Sequence, residues 1–447
     1  MKNKEILLAR HGLQKEDLMP SMNGEVSNAG KLLMGILMGT GQWFHEIGDQ
    51  ITDEDFISCL QESAKTIDSP GRGMLIDPVL GDLPITDFDP YIRGVIRWVN
   101  EIGIYTYGSC DGHGRGEARI YLKKYPNGKQ LELLKAAIPP SLRFRIEGKI
   151  IRVIYPKKGQ PLLLEFAENL YQVWKDPSFL KDLQAHHFKG LLLECLNVPG
   201  ASTDEGKFRS RVRNKLTSLI DHSFIDRKGN LLGFVEIGDG PTVLLSAHLD
   251  TVEEIVEGRE IIEENSILRS SEGILGADDR AGVAAILEIL SRVKKTNFRG
   301  TLKVAFTVEE EIGCLGSRAI DQDFIEDVDA AIVIDRRGNR DIVTSWSNYV
   351  HFCPEVYGRL FEEAGKITGM DDWKITPGGI SDALVFAEYG IPSVNLSAGY
   401  QNEHKETETV DYKSTFETVL LVESVLHHQL IKQNSPSSII INLQGSI

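Results

Sequence analysis

From about Phe188 onward the chain carries apolar runs too continuous for strands with one wet face. They are Thr242-Val243-Leu244-Leu245-Ser246, Leu302-Lys303-Val304-Ala305-Phe306-Thr307 and Ala330-Ala331-Ile332-Val333-Ile334. Runs of this kind fit strands buried on both faces, which occur where helices cover both sides of a parallel sheet. An apolar helical stretch, Ala281 to Val293, falls between the first two. The alternation predicts an α/β fold with a central, mostly parallel (mixed) sheet flanked by helices.

The earlier part of the chain reads differently. Helical stretches (Asn28 to Phe44, Asp53 to Lys65, Ile92 to Ile102, Leu162 to Trp174) mix with short strands at Ala118 to Leu122 and a hairpin over Arg143 to Tyr155 turning at Gly148-Lys149. With 447 residues the chain is too long for one typical domain. The expected division is a separate N-terminal α+β domain over 1–181, an α/β domain over 182–432, and a tail over 433–447, with Pro177-Ser178 as the hinge.

Ligands of open α/β sheets collect beyond the carboxyl ends of the strands. Five acid-or-histidine motifs stand at such strand ends or helix starts: Ala247-His248-Leu249-Asp250-Thr251, Gly276-Ala277-Asp278-Asp279-Arg280-Ala281-Gly282, Glu309-Glu310-Glu311-Ile312-Gly313, Ile334-Asp335-Arg336 and Asn402-Glu403-His404. A zinc-like ion takes imidazole and carboxylate ligands, and a catalytic site keeps one position open for water. Two neighbouring ions need a bridging carboxylate and further groups that fix the histidine tautomer. Strand spacing puts His248 and Asp250 on one side, so Asp250 can orient the imidazole. Asp278, opening a helix behind Gly276, suits the bridge. Glu310 and Glu311 can divide the work of base and ligand, and Asp335 and His404 complete two coordination spheres.

These motifs resemble those of the co-catalytic di-zinc metallopeptidases of the MH clan, which includes aminopeptidases, peptidase T and related deacylases and carboxypeptidases. The resemblance covers about Phe188 to Ile431. It implies a zinc-exopeptidase-like fold, with His248, Asp278 and Asp335 on one metal and Asp278, Glu311 and His404 on the other. It also implies Glu310 as general base, Asp250 as the acid behind His248, and two divalent ions, zinc with cobalt or manganese as alternatives. The bridge is assigned to Asp278 rather than Asp279 by its distance from Arg280. Glu-Glu-Ile-Gly selects Glu310 and Glu311 and leaves Glu309 as a solvated neighbour. The segment Gly378-Gly379-Ile380-Ser381-Asp382-Ala383 and Gly390-Ile391-Pro392 resemble the clan's approach to its last histidine. Only 28 positions separate Asp250 from Asp278 and 69 separate Asp335 from His404, so no lid domain fits and the compact, lidless aminopeptidases are the nearer pattern.

The implied chemistry is amide hydrolysis. A metal-bridged water, made nucleophilic by a lowered pKa, gives its proton to Glu310 as it attacks the carbonyl, and Glu310 passes it to the leaving amine. An aminopeptidase or other exopeptidase acting on small peptides is the first reading. An N-acyl amino-acid deacylase or carboxypeptidase, acting on acylated amino acids or free C-termini, is the alternative with the same site. A peptidase-like binding module without activity is the alternative from another class. A homo-oligomer is compatible with each.

Composition bounds the partners. A formal net charge of −16 argues against a broad basic surface for nucleic acid. No apolar stretch approaches the roughly 20 residues that span a bilayer, and Met1 to Leu8 turns polar too early for a signal peptide. No membrane partner and a cytoplasmic location are therefore expected. The five cysteines are scattered, without a Cys-x-x-Cys pair, so neither a disulfide framework nor a structural zinc-thiolate site is expected. Two N-terminal features stand apart. Arg10-His11-Gly12 resembles the start of histidine phosphatases without the rest of that pattern, and is read as structural. In Ser109-Cys110-Asp111-Gly112-His113-Gly114-Arg115-Gly116, Cys110, Asp111 and His113 have the chemistry to bind a metal or ligand, but a glycine-rich turn is the preferred reading.

Overall fold

The computed structural model describes residues 2–20, 24–39, 52–65 and 85–432. It divides into two compact units, Met1–His187 and Phe188–Ile447. The division falls inside the helix Phe179–Leu196, not at the expected 181/182 step. Pro177-Ser178 precedes this helix, and Asp176 Oδ1 accepts from the Ser178 N–H at 2.9 Å just before it starts. Leu191 to Leu193, expected to lead into a loop, lie in its last turns, where Leu192 and Leu196 are buried. The tail over 433–447 and the end of the Asn28 to Phe44 helix lie outside the described residues; the described part of that helix is Asn28–Gly39.

The first unit is α+β. Its four-stranded antiparallel sheet has the order Thr106–Cys110, Glu117–Leu122, Ile150–Ile154, Arg143–Glu147. Ala118, Ile120 and Leu122 alternate inward, as one-sided burial requires. Arg143, Arg145 and Glu147 point to solvent on the edge strand, where charge discourages pairing with another chain. The helix Arg93–Glu101 packs on Leu162–Lys175. Between these layers Trp98 is fully buried and donates its indole N–H to the Ala9 carbonyl at 2.6 Å. His11 is also fully buried and meets Asp53 Oδ1 at 3.0 Å. A histidine closed off in this way serves the packing of its unit, and burial lowers its pKa.

The second unit is the expected α/β layer structure. The strands Ser393–Ser397, Ala330–Arg336, Thr242–His248 and Thr301–Thr307 are neighbours in that order, all parallel. Antiparallel strands extend both edges, Leu231–Glu236 and His222–Ile225 on one side and Asp341–Trp346 with Val350–His351 on the other. Lys374–Gly378 pairs parallel with Asp341–Trp346. The central strands are buried almost throughout, and the helix Ala277–Val293 packs against Thr242–His248 and Ala330–Arg336. No lid occupies the two intervals between the motifs. The first holds a hairpin of Ile261–Glu264 and Ile267–Ser270, which joins Thr409–Asp411 and Tyr400–Gln401 in a separate four-stranded sheet.

Candidate metal centre

The parallel strands deliver the site. Thr307 is the register partner of His248, so the loop after Thr307 carries Glu310 and Glu311 to the same end of the sheet. Asp335 stands near the end of the next strand but one. Asp278 lies at the start of the helix behind Gly276, in extended rather than helical backbone, and the Asp278–Asp279 peptide is cis. His404 comes from the turn after Tyr400–Gln401.

These side chains converge. His248 Nε2 lies 3.1 Å from Asp278 Oδ1 and 3.5 Å from Asp335 Oδ1. His404 Nε2 lies 3.2 Å from Asp278 Oδ2 and 2.9 Å from Glu311 Oε2. The two oxygens of Asp278 therefore face different histidines, and two donor groups share this one carboxylate: His248, Asp278, Asp335 and Asp278, Glu311, His404. Ligands held at about 2.0–2.2 Å on a tetrahedral ion sit roughly 3.3–3.5 Å apart. The observed spacings, 2.9–3.5 Å, lie at or just below that range, and an all-nitrogen and oxygen donor set suits zinc, cobalt or manganese. Glu310 belongs to neither group; its Oε2 is 4.0 Å from His248 Nε2.

The electrostatics follow from crowding. Burial pushes Glu310 up to about 9, Glu311 to about 7 and Asp335 to about 6, with neighbouring carboxylates adding to each. Hydrogen bonding to Asp278 and attraction to Glu311 raise His404 to about 9. Burial opposes the charge of His248, yet contacts with Asp250, Asp278 and Asp335 outweigh it and hold the imidazole above its usual range. Asp278 is held low by the two histidines despite its burial. So many acids around two imidazoles favour additional positive charge at their centre, and divalent cations fit that requirement.

The alternatives left by the sequence separate here. Asp279 is fully buried, and its carboxylate accepts the backbone N–H of Gly282 at 2.9 Å and of His248 at 3.3 Å. That fixes backbone and leaves Asp278 facing the donors. Glu309 is not a solvated neighbour; it pairs with Lys228 at 2.6 Å and its side chain is only 17% exposed. Asp250 acts more broadly than its strand spacing suggested. His248 Nδ1 lies 3.0 Å from the Asp250 carbonyl and 3.4 Å from its carboxylate. The same carboxylate accepts the N–H of Glu310 at 3.0 Å and of Glu311 at 3.2 Å, and the Ser202 hydroxyl at 2.7 Å. It ties the imidazole to the glutamate loop.

Several supporting residues carried no readable motif. Glu408, 1% exposed, accepts the N–H of Gly276 at 2.7 Å and of Asp278 at 3.0 Å, holding the backbone beneath the shared aspartate. The Tyr400 hydroxyl donates to Asp335 Oδ1 at 3.0 Å, and the Asn395 amide clasps the Asp335 backbone at 2.9 and 3.0 Å. Only Asn395 left a trace in sequence, as a polar residue inside the apolar run Val394-Asn395-Leu396. The donors open onto a cleft of about 410 Å³, whose lining also includes Arg336, Arg337, Ile380 and Glu403.

Comparison with known proteins falls on the same region. Residues 230–424 match the model of peptidase family M28, and every donor from His248 to His404 lies within that span. A stretch of 85 residues is 35% identical to the uncharacterised protein YqjE of Bacillus subtilis, covering 19% of this chain and 23% of that one. Over 137 residues the chain is 28% identical to peptidase T of Clostridium botulinum, covering 27% of this chain and 34% of the relative. The chain thus spans about a quarter to a third of the length of these curated relatives. Among solved structures, aminopeptidase PepT of Bacillus cereus has a TM-score of 0.48 at 19% identity, covering 54% of this chain and 98% of that chain. A tripeptidase of Staphylococcus aureus has a TM-score of 0.48 at 18% identity, covering 55% and 98%.

Proposed function

We propose that this chain is a metal-dependent peptidase that removes residues from peptide ends, with Glu310 as general base. The observation that supports it most is the pair of three-residue donor groups sharing Asp278, with one further glutamate beside them that belongs to neither. The family M28 match over 230–424 supports the same reading. His248, Asp278 and Asp335 would hold one divalent cation, and Asp278, Glu311 and His404 the other. Bound there, such a pair supplies Lewis acidity toward an amide carbonyl and toward water.

The side chains supply the rest. Glu310 takes a proton from the water that attacks the carbonyl carbon, then delivers it to the departing nitrogen as the C–N bond breaks, leaving a carboxylate and an amine. Asp250 holds Glu310 in place through the loop N–H groups, and Tyr400 and Asn395 fix Asp335. The acids around the cleft favour a substrate with a free amino group, which is the aminopeptidase form of the reaction.

A second reading draws on Arg336. This residue lines the cleft, its Nε makes no hydrogen bond, and Asp341 is 3.7 Å away. A guanidinium so placed suits a substrate carboxylate, as a carboxypeptidase or N-acyl amino-acid deacylase would need. A screen of unblocked and N-blocked peptides and N-acyl amino acids, with zinc, cobalt and manganese added in turn, separates the two. Faster cleavage of unblocked peptides supports the aminopeptidase form, and preference for blocked substrates supports the other. No metal-stimulated hydrolysis of any of them, with no loss on Glu310→Gln, contradicts both.

A further inference from the structure

The turn between the first two strands of the N-terminal unit gathers a second set of donors. Asp89, Cys110, Asp111 and His113 each offer one ligand atom, and these atoms all lie within 4.8 Å of one another. Cys110 ends one strand, and the backbone turns back through Gly112, His113, Gly114 and Gly116, all at positive φ. Gly112 admits no side chain. At its φ of +80° a Cβ would stand 2.0 Å from the Glu117 carbonyl oxygen and 2.5 Å from the Tyr155 hydroxyl. That hydroxyl in turn donates to the Asp111 carbonyl at 2.5 Å, so the turn is fastened to the sheet.

We infer that this turn, with Asp89, is a separate binding site for a single zinc-like divalent cation. Cys110 Sγ, His113 Nε2 and Asp89 Oδ2 are the ligands, and Asp111 is the positioning residue. His113 Nε2 lies 3.8 Å from Cys110 Sγ and 4.0 Å from Asp89 Oδ2. Around a tetrahedral ion, with Zn–S near 2.3 Å and Zn–N near 2.0–2.1 Å, the corresponding separations are roughly 3.4–3.6 Å. A contraction of about half an ångström brings His113 Nε2 into range of both partners, within reach of a His113 side chain that is 61% exposed.

Two further observations point to a ligand. Asp111 is almost fully buried, and its Oδ1 both accepts the His113 N–H at 2.9 Å and lies 3.3 Å from Nδ1. A carboxylate on Nδ1 fixes the tautomer that leaves Nε2 free as a ligand, the arrangement by which metal-bound histidines are commonly held. The Gly112 N–H points at Cys110 Sγ, 3.3 Å away, as a donor to a thiolate would. Charge also matches. The buried Arg93 guanidinium, attracted to Asp89 and Asp111, offsets one of the three negative charges that two carboxylates and a thiolate bring. Two are left for a divalent ion. Binding releases the Cys110 proton to solvent. One sulfur among nitrogen and oxygen donors favours zinc or cobalt over magnesium or calcium. The fourth position faces solvent on the His113 side.

The test uses the full chain, stripped of metal and titrated with Co²⁺ alone. A thiolate–cobalt charge-transfer band in the near ultraviolet reports this site, because the centre of the other unit has no sulfur among its proposed ligands. The band is expected to saturate once cobalt has filled this site and the two of the other unit, to vanish in Cys110→Ser, and to survive in Cys314→Ser, which removes the thiol beside Glu310. His113→Ala, a change at an exposed side chain, is expected to weaken cobalt binding at this site at least tenfold. Asp111→Asn should keep the band at saturation while raising the cobalt Kd by about 10–100-fold. Absence of the band, its loss in Cys314→Ser rather than Cys110→Ser, or unchanged affinity in His113→Ala would overturn the assignment.

Discussion

In the larger unit the donors come from five separate segments, strand ends, a helix start and a late turn, and they meet only because a parallel sheet aligns its carboxyl ends. In the smaller unit three of the four donors occupy the single stretch Cys110–His113, and the fourth, Asp89, lies just before the helix Arg93–Glu101. The convergent site is mostly buried and braced by groups such as Asp250, Glu408 and Asn395, which anchor the backbone of its donor segments. The local site depends on one tightly constrained glycine turn. A fold-built centre should therefore be sensitive to single shared residues, and a turn-built one to backbone geometry.

The largest effect is expected at Asp278. Because both donor groups use it, Asp278→Asn should remove both cations of the larger unit, leave the one at Cys110, and reduce hydrolysis below detection. Elemental analysis showing that only one cation is lost would break the claim of sharing. Next is Glu310→Gln, where kcat should fall by about 10²–10⁴-fold while metal content stays at the wild-type value. Loss of metal in this variant would show Glu310 to be a ligand. Glu408→Gln should be milder, weakening both cations of the pair by about 10–100-fold, with the cobalt–thiolate band unchanged, as read by competition with a chelator. The smallest expected change is in the turn. Gly112→Ala should destabilise the N-terminal unit by roughly 1–3 kcal/mol in denaturant unfolding and weaken the cobalt–thiolate band, without touching Zn²⁺-stimulated hydrolysis.

The same contrast explains what could be read in advance. Strands buried on both faces leave a strong sequence signal, so the sheet and the residues at its carboxyl end are legible: Asp278, Glu310, Glu311, Asp335 and His404 line one cleft, and His248 reaches Asp278 behind it. Asp278 and Asp279 were separable only by three-dimensional position, since both are acidic and adjacent. Glu408 and Ser202 were invisible because their roles are hydrogen bonds to residues distant in sequence. The small sheet built from Ile261–Glu264 and its partners leaves little sequence signal because its strands are only two to four residues long and mix polar with apolar residues. Leu191 to Leu193 continue a helix rather than leading into a loop, because its buried residues, among them Phe188, Leu192 and Cys195, are spaced for a helix packed on one face and announce neither a strand nor a loop. The spacing of the cysteines carries no metal motif, because Cys110 is joined to Asp89 and His113 only through the fold of the turn.

Anomalous scattering from zinc-loaded crystals tests the bridged centre most directly. Two peaks should flank the Asp278 carboxylate, roughly 3.5–4 Å apart, one beside His248 and Asp335 and the other beside Glu311 and His404. A single peak there, or a pair of peaks around Asp279 with Asp278 turned away, would contradict it.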